Sequence, residues 1–364
     1  MRIGIEIEYW LIDEDGALAP VDPVIDACSG VDPEMTNRLL EVKTPPCDSI
    51  IELAETLRDR LASVVEAARR RGLRLVPLGT PLGDPALPHR ETTRMAVQQA
   101  VLGDAFDHAG YCAGTHLHFE QEEPFDQLRA LTALDPSFAL VNTSPYYRGE
   151  RIARCARPKI YRRQCYREFP GHGQLWAYPK SLAEWRQRID SRFDTFLEAA
   201  TAHGFDADTV EDTFSAADAI WSPVCLRDDL GTVEWRTPDA APPLDLLQLA
   251  ADVMQVMTTA TDRGTVIGTG PHSGPELRLP PFDSLKRRID IAINHGVADN
   301  TVTRHLARLG FDLDSYQPLA GGIDLRRPLD QATVRRLRQR AADRFERDLG
   351  QLQTQSLTSM PTAQ

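Results

Sequence analysis

The first twelve residues, MRIGIEIEYWLI, alternate between apolar and other side chains, and this pattern predicts a β-strand. Because neighbouring side chains of a strand point to opposite faces, one face would be apolar, with Ile3, Ile5, Ile7 and Tyr9. The other face would carry Glu6 and Glu8, about 6–7 Å apart along the strand. Glutamate is disfavoured in strands, so two of them side by side indicate a purpose other than sheet formation.

Four more segments are predicted to form strands, and three of them also place polar residues together on one face. The segments are 38–46, 73–79, 110–120 and 231–239. The polar residues that share a face are Glu41 with Lys43, His116 with His118 and Glu120, and Glu234 with Arg236. Buried parallel strands are usually apolar throughout, whereas these strands alternate. We therefore predict an α+β fold: a curved, mostly antiparallel sheet with helices on one face and an open polar face that forms the active site.

Apolar residues at helical spacing occupy the segments between these strands. The predicted helices are 49–72, 124–145, 182–204 and 243–264, and charged helices follow from about residue 282. In the first helix, Ser49 with Glu52 suits a capping box and Gly72 suits the C-terminal cap. No repeat or linker divides the chain, so we predict one domain over residues 1–350, helical in its C-terminal part, and a disordered polar tail over 351–364.

Composition and charge exclude several classes of protein. The chain has 364 residues, of which 42% are hydrophobic and 26% charged, as is typical of a globular protein. Its net charge of −12 disfavours binding to nucleic acids or membrane surfaces, and no apolar stretch is long enough to span a membrane. The six scattered cysteines and the lack of a secretory signal segment predict a cytoplasmic protein without disulfides.

The polar faces of four strands would meet in one concave surface that carries several carboxylates and two histidines. Carboxylates placed close together repel one another, and a divalent cation relieves that repulsion. Mg²⁺ and Mn²⁺ suit carboxylate ligands and keep positions open for phosphate oxygens. Glu6 and Glu8 are therefore candidate metal ligands on the floor of a nucleotide site. Two alternatives stay open: a polar face that is merely solvated, and a zinc hydrolase that uses His116 and His118.

The segment 146–169, called the basic segment below, carries eight basic residues against Glu150 and Glu168. Such a cluster suits phosphates or carboxylates, which arginine binds through two hydrogen bonds. A solvated basic helix would show the same composition, so both interpretations stay open. Arg148 and Arg163 are the candidates for substrate binding. The glycines of IGTGPHSG, residues 267–274, are only weakly similar to a phosphate loop, because no GK[ST] follows them.

Five short motifs follow one another along the chain: GIEIEYWLID, LLEVKTPPC, GTHLHF, NTSPYYRG and GTVEWRTPDAAP. In this order they resemble the glutamate–cysteine ligase family, and most of all its bacterial and archaeal carboxylate–amine ligase branch. The resemblance runs from residue 1 to about 345. It implies the fold of glutamine synthetases and guanidino kinases, a curved, mostly antiparallel sheet that holds ATP and metals. That fold agrees with the sheet predicted above from alternation.

The resemblance also implies roles for individual residues. Those that match the family's metal ligands are Glu6, Glu8, Glu34, Glu41, His116 and Glu234. His116 matches a histidine that meets metal or nucleotide phosphate, and Arg236 matches an arginine that faces the transferred phosphate. Glu234 and Arg236 are therefore the implied catalytic residues. Asn142 and Ser144 match a loop on the substrate side and are implied to bind substrate.

The implied reaction is the ATP-dependent formation of a peptide-like bond. With ATP and Mg²⁺ or Mn²⁺, the enzyme would phosphorylate the side chain of L-glutamate and join the resulting γ-glutamyl phosphate to an amine. L-cysteine is the first candidate amine, as in glutathione biosynthesis. The alternatives are another amine, a noncatalytic protein that binds nucleotide or metal, and a zinc hydrolase that uses the HxH motif. The expected partners are small molecules, without nucleic acid or membrane, and a homo-oligomer is left open.

Overall fold

A computed structural model describes residues 1–167, 169, 171–269 and 273–354 of the chain. Its first strands are Ile3–Ile12 (β1), Val31–Pro33 (β2), Leu39–Lys43 (β3), Arg74–Val76 (β4) and Thr115–Glu120 (β5). The later strands are Tyr146–Tyr147 (β6), Glu150–Arg151 (β7), Val224–Arg227 (β8), Thr232–Trp235 (β9), Thr265–Ile267 (β10) and Leu277–Leu279 (β11).

Helices occupy much of the remaining chain. Those before β8 are Asp22–Ile25 (α1), Ile50–Arg69 (α2), Thr93–Leu102 (α3), Pro124–Leu134 (α4), Ala156–Ile160 (α5), Leu182–Ala202 (α6), Ala207–Thr213 (α7) and Ala216–Ala219 (α8). Those after β9 are Pro243–Arg263 (α9), Phe282–His295 (α10), Asn300–Arg308 (α11), Ala320–Ile323 (α12) and Gln331–Thr354 (α13). Short 3₁₀ segments lie at Asp104–Tyr111, Asp135–Val141, Gly296–Ala298 and Leu313–Ser315, and Tyr161–Cys165 forms one π-helical turn. No helix in the described ranges combines the length and apolarity that a membrane span requires.

One seven-stranded sheet organises the fold. Its strand order is β2-β3-β1-β5-β9-β8, with β4 paired to β1, and every pair in it is antiparallel. The sheet stays open rather than closing into a barrel, so the predicted fold class is confirmed. The five predicted strands are all present. The structure adds β2 and β8, which are too short to show a clear alternating pattern.

The apolar face of β1 lies in the core, under helices. Ile3, Ile5 and Ile7 are fully buried, and α2 packs against this strand. Farther along β1, the ring of Tyr9 meets Phe345 of α13 edge-on, with 5.2 Å between centroids. Burying such side chains is the main source of stability in a fold of this kind. Helices therefore cover one face, as predicted, and leave the polar side chains of the sheet on the other.

The C-terminal helices pack on this same core. Arg338 of α13 donates hydrogen bonds to the carbonyl of Pro81, at 2.9 and 2.7 Å. This helix runs to Thr354, so the predicted end of the domain at residue 350 falls inside its last turn. The rest of the predicted tail, residues 355–364, lies outside the described residues. Residues 270–272 of the glycine-rich segment and Glu168 of the basic segment also lie outside them.

Candidate active site

The polar face of the sheet lines a cavity of about 660 Å³. Six of its lining residues, called the acidic floor below, are Glu6, Glu8, Glu34, Glu41, His116 and Glu234. Most of its other lining residues come from two segments, 90–109 and 161–230, and together they are called the outer wall. Segments outside the predicted strands therefore enclose part of the polar face.

Strand register assembles the acidic floor from distant parts of the sequence. The directly opposed pairs are Glu6 with Lys43, Glu8 with Glu41, Glu6 with His116, and His118 with Glu234. Opposed residues of antiparallel strands point to the same face, so one continuous polar patch results. Glu120 shares this face but pairs with Arg2 at 2.6 Å and does not line the cavity.

Three overlapping groups of side chains, drawn from the acidic floor and His118, could each hold a metal ion. They are Glu6, His118 and Glu234; Glu6, Glu41 and His116; and Glu8, Glu34 and Glu41. Within each group, one potential ligand atom per residue lies within 4.8 Å of the others. All six predicted ligands occur in these groups, and the structure adds His118. Most of these potential ligands are carboxylates, which suit Mg²⁺ or Mn²⁺, so the set fits the predicted cations.

At one end of the acidic floor, carboxylates crowd together in a buried place. Burial raises the pKa of Glu34 well above its usual range, and the charges of Glu8 and Glu41 add to this effect. Burial also raises the pKa of Glu41 to about 8, helped by Glu6 and opposed by Lys43. The Lys43 ammonium lies 2.6 Å from Glu41. One ammonium cannot neutralise so many acids, and a bound cation would relieve their repulsion.

At the other end, arginine and histidine side chains lower the pKa of the carboxylates. Burial opposes ionisation of Glu234, but Arg236 at 2.6 Å outweighs it and lowers the pKa of that carboxyl. Burial likewise opposes ionisation of Glu6, and His116 and His118, each 3.5 Å away, outweigh it and lower its pKa. This end therefore offers negatively charged oxygens together with an arginine.

A buried carboxylate, Asp135, fixes the strand that carries Glu234 and Arg236. It accepts hydrogen bonds from the indole of Trp235 at 3.0 Å and the hydroxyl of Thr237 at 2.5 Å. Arg162 of the basic segment pairs with it at 2.5 Å. Sequence reasoning missed this role, because nothing in the local pattern around Asp135 shows which distant groups it will meet.

Another arginine of the basic segment, Arg157, supports the chain just beyond the same strand. Its Nη1 donates to the backbone carbonyls of Arg236, Thr237 and Pro238 at 3.1, 2.9 and 3.1 Å. Arg157 is 1% exposed and packs closely over Gly114, where an added Cβ would lie 1.9 Å from its Nη2. Arg157 therefore positions the backbone that presents Arg236.

The structure places the four predicted substrate-binding residues outside the cavity. Asn142 is buried and donates to the carbonyl of Arg154 at 2.7 Å. Ser144 is also buried and shares a hydrogen bond with the hydroxyl of Thr80 at 2.6 Å. Each thus has a partner within the fold.

The two arginines of that set point elsewhere as well. Arg148 pairs with Asp84 at 3.1 Å, in a turn where its own φ is +50°. Arg163 pairs with Asp290 at 3.1 Å, on the surface. The turn between β6 and β7 carries Arg148, and the turn at 161–165 carries Arg163, so neither lies on the acidic floor. Substrate binding stays a prediction for all four residues.

What the basic segment does contribute to the cavity is aromatic. Tyr161 and Tyr166 line the outer wall together with Trp221. The rings of Tyr161 and Trp221 stack with centroids 4.2 Å apart and 12° between their planes. Tyr161 begins the π-helical turn, a feature often found at functional sites. In the sequence, these tyrosines alternate with the arginines of the basic segment, and this pattern could have marked them as cavity residues.

The outer wall also holds cations that sequence reasoning missed. Arg90, Arg94 and Arg227 line the cavity. Arg227 pairs with Asp218 at 3.0 Å and approaches Glu234 at 3.5 Å. These arginines lie outside the basic segment and had no local charge cluster to mark them.

Solved structures of ligases share this fold. The chain matches a bifunctional glutathione synthetase from Pasteurella multocida with a TM-score of 0.58 and 16% identity, covering 98% of this chain and 55% of that one. It thus spans just over half the length of that bifunctional protein. It also matches a glutamate–cysteine ligase from Francisella tularensis, solved in complex with AMP, with a TM-score of 0.52 and 15% identity. That match covers 98% of this chain and 90% of the other. The fold is therefore that of carboxylate–amine ligases.

The sequence narrows this class to one family. Residues 2–364 match the family model of glutamate-cysteine ligase family 2 (GCS2), and the chain belongs to that family. It is 24% identical over 365 residues to the glutamate–cysteine ligase of Halobacterium salinarum, covering 92% of this chain and 94% of that protein. The predicted family is confirmed, and the chain is a carboxylate–amine ligase of the glutamate–cysteine ligase type.

Proposed function

We propose that this protein uses ATP to activate the side-chain carboxylate of L-glutamate and joins it to an amine, with L-cysteine as the first candidate. The product would be γ-glutamylcysteine, which would place the enzyme in glutathione biosynthesis. The observation that carries the proposal is the acidic floor, where all six implied metal ligands and Arg236 line one cavity. We place the reaction in the cytoplasm, where six free cysteines would stay reduced.

The acidic floor would bind the metal and the nucleotide phosphates. Glu6, Glu8, Glu34, Glu41, His116 and Glu234 would hold Mg²⁺ or Mn²⁺, which when bound supplies positive charge beside the phosphates. Arg236, held by Glu234, would stabilise the negative charge that develops on the transferred phosphoryl group. His116, at the centre of the floor, would contact a phosphate oxygen.

The reaction needs placement and charge more than a nucleophile from the protein. The γ-phosphoryl group of ATP passes to the glutamate side chain, and ADP forms. The amine then attacks the acyl carbon, inorganic phosphate leaves with the bonding electron pair, and the amine loses a proton. Two buried thiols, Cys112 and Cys165, have their pKa raised by burial, which makes them poor nucleophiles for this chemistry.

The aromatic outer wall supports a nucleotide in this cavity. The indole of Trp221, backed by the stacked ring of Tyr161, offers a flat apolar surface that suits stacking of a purine. The acidic floor and the outer wall line the same cavity of about 660 Å³. The phosphates of one nucleotide could therefore lie at the acidic floor while its base stacks on the outer wall.

A trapping assay tests the proposal in two steps. The enzyme is incubated with ATP, Mg²⁺ and L-glutamate, first with hydroxylamine and then with L-cysteine. Hydroxamate in the first reaction shows activation of the glutamate side chain, and γ-glutamylcysteine in the second identifies the acceptor. Hydroxamate without γ-glutamylcysteine keeps the ligase mechanism and rejects cysteine. If neither product forms although ADP and Mn²⁺ bind, the proposal is wrong and a noncatalytic role replaces it.

A further inference from the structure

Arg94 is a guanidinium in the cavity that the proposed chemistry does not yet use. It is the second residue of α3 and forms part of the outer wall. Its guanidinium carbon lies 4.6 Å from the ring centroid of Phe214, so an aromatic face holds it from one side. Its side chain is partly buried, and burial lowers the pKa of Arg94.

Among the residues that the structure describes, Arg94 has no ion-pair or hydrogen-bond partner. Its neighbours in the cavity differ in this respect. Arg90 pairs with Asp22 at 2.5 Å, Arg227 with Asp218 at 3.0 Å, and Arg236 with Glu234 at 2.6 Å. Arg94 is thus the cavity arginine whose donors are left unused.

An unpaired guanidinium away from water is unfavourable, because it loses hydration and gains no hydrogen bonds in return. Asp218 and Glu34 attract its charge without pairing with it, and Arg236 and Arg227 repel it. A bound anion would supply the acceptors that its five N–H groups lack. The arrangement is therefore that of a ligand site rather than of a structural ion pair.

We propose that Arg94 binds a carboxylate of the amino-acid substrate that is not the one being activated. This inference rests on the proposed function. A planar guanidinium fork matches a carboxylate with two parallel hydrogen bonds. A nucleotide phosphate presents similar oxygens, but the proposed function already assigns phosphates to the acidic floor and the cations it would hold. Arg94 is on the outer wall, where it would hold the amino acid while its side chain extends towards Arg236.

The test compares Arg94→Gln and Arg94→Lys with the wild type in steady-state kinetics. Arg94→Gln should raise the KM for glutamate about 10- to 100-fold and leave the KM for ATP within about twofold. The KM of Arg94→Lys for glutamate should lie between the values of the wild type and Arg94→Gln, because lysine keeps the charge but lacks the planar guanidinium. Arg192→Gln is the matched control: its guanidinium also stacks on a ring, that of Trp176 at 4.3 Å, but it does not line the cavity.

Calorimetric binding of L-glutamate and of Mg²⁺–ADP gives a readout that does not depend on turnover. Loss of glutamate binding in Arg94→Gln, with ADP binding retained, supports the proposal. Loss of ADP binding alone would assign Arg94 to a phosphate and overturn the carboxylate assignment. Unchanged binding of both ligands would overturn the site altogether. A wild type that binds neither ligand refutes the proposed function itself, so the two failures are distinguishable.

Discussion

The acidic floor and the basic segment each contain many residues of like charge. In the acidic floor these residues are close in space, whereas in the basic segment they are close in sequence. The residues of the acidic floor are spread along the chain from Glu6 to Glu234, yet potential ligand atoms lie within 4.8 Å of one another in each group. The charges of the basic segment are close in sequence, and in the fold they pair with acids in different parts of the molecule, among them Asp84, Asp135, Asp290 and Asp324. The first concentration exists only in three dimensions and the second only along the chain.

Several arginines of the basic segment form ion pairs with acidic residues elsewhere in the fold. Arg151 and Arg154 both pair with Asp324, at 2.8 and 3.2 Å, and Arg163 reaches Asp290 at 3.1 Å. Each such arginine already has its counter-ion. The acidic floor has an excess of carboxylate, and Arg94 has unused donors. The lesson is that charge left without partners marks a ligand site better than charge density along the sequence.

The largest effect should come from removing one negative charge of the acidic floor. Glu41→Gln or Glu234→Gln should lower kcat on the order of 10²- to 10³-fold while the fold survives, because each removes a proposed metal ligand. Turnover of the wild type should also stop in EDTA and return with Mg²⁺ or Mn²⁺. Rates are measured as ADP release with glutamate and an amine.

Glu150→Gln is the matched control for this comparison, since it neutralises an exposed acid of the basic segment. Its rate should stay within about twofold of the wild type. Near-normal rates in both floor variants, or full turnover in EDTA, would contradict the metal site.

The next largest effect should be on stability, at the buried pair of Arg162 and Asp135. Arg162→Met leaves Asp135 buried without its cation and should cost about 3–5 kcal/mol of unfolding free energy. Urea unfolding followed by circular dichroism measures it. A loss below about 1 kcal/mol would mean that Asp135 needs only Trp235 and Thr237, and that this arginine does not stabilise the strand.

His172, just beyond the basic segment, gives a smaller and pH-dependent effect. Burial, with a contribution from Arg192, lowers the pKa of His172 to about 3. An unfolded histidine has a pKa of about 6.5. As pH falls from about 6.5 towards 3, the unfolded state gains a proton first and the native state loses about 1.4 kcal/mol per pH unit. Above about pH 6.5 the contribution is constant.

The variant His172→Leu should remove this part of the pH dependence. Between pH 7.5 and pH 5, its unfolding free energy should fall by about 2 kcal/mol less than that of the wild type. Denaturant unfolding at both pH values gives the difference. Parallel pH profiles for the two proteins would show that His172 accepts a proton in the folded state, and that this region tolerates another cation.

The smallest effect should come from Arg163, whose side chain is 62% exposed. Arg163→Gln should change the unfolding free energy by less than about 0.5 kcal/mol, because exposed ion pairs contribute little. Its KM for glutamate should match that of the wild type. A clear rise in that KM would restore Arg163 as a substrate residue and break the contrast between the two regions.

Alternation made the sheet and most of the acidic floor predictable. Once Glu6 and Glu8 share a face of β1, backbone geometry decides that His116 and Glu41 lie on the same side in antiparallel neighbours. Glu34 lies outside the long strands and was found only through the family resemblance. Its place beside Glu8 and Glu41 depends on a loop path that periodicity does not describe.

The outer wall could not be predicted either, because periodicity does not describe how segments outside the strands pack over the sheet. Arg94 and Trp221 reach the cavity because whole segments pack over the sheet, and no local pattern encodes that packing. The NTSP motif resembles a loop on the substrate side, but Ser144 bonds to Thr80 inside the fold and does not line the cavity. A motif match alone does not tell a packing role from a binding role.

The acidic floor and much of the outer wall come from different segments, so residues of the wall can be varied without changing the floor. Leu102 and Phe106 line the cavity from segments that contribute nothing to the sheet. A library of variants at these two positions would reshape the space around the acceptor and leave the activating machinery in place. Selecting that library with amines of increasing size, while hydroxamate formation reports on activation, would turn one scaffold into a series of catalysts for different γ-glutamyl amides.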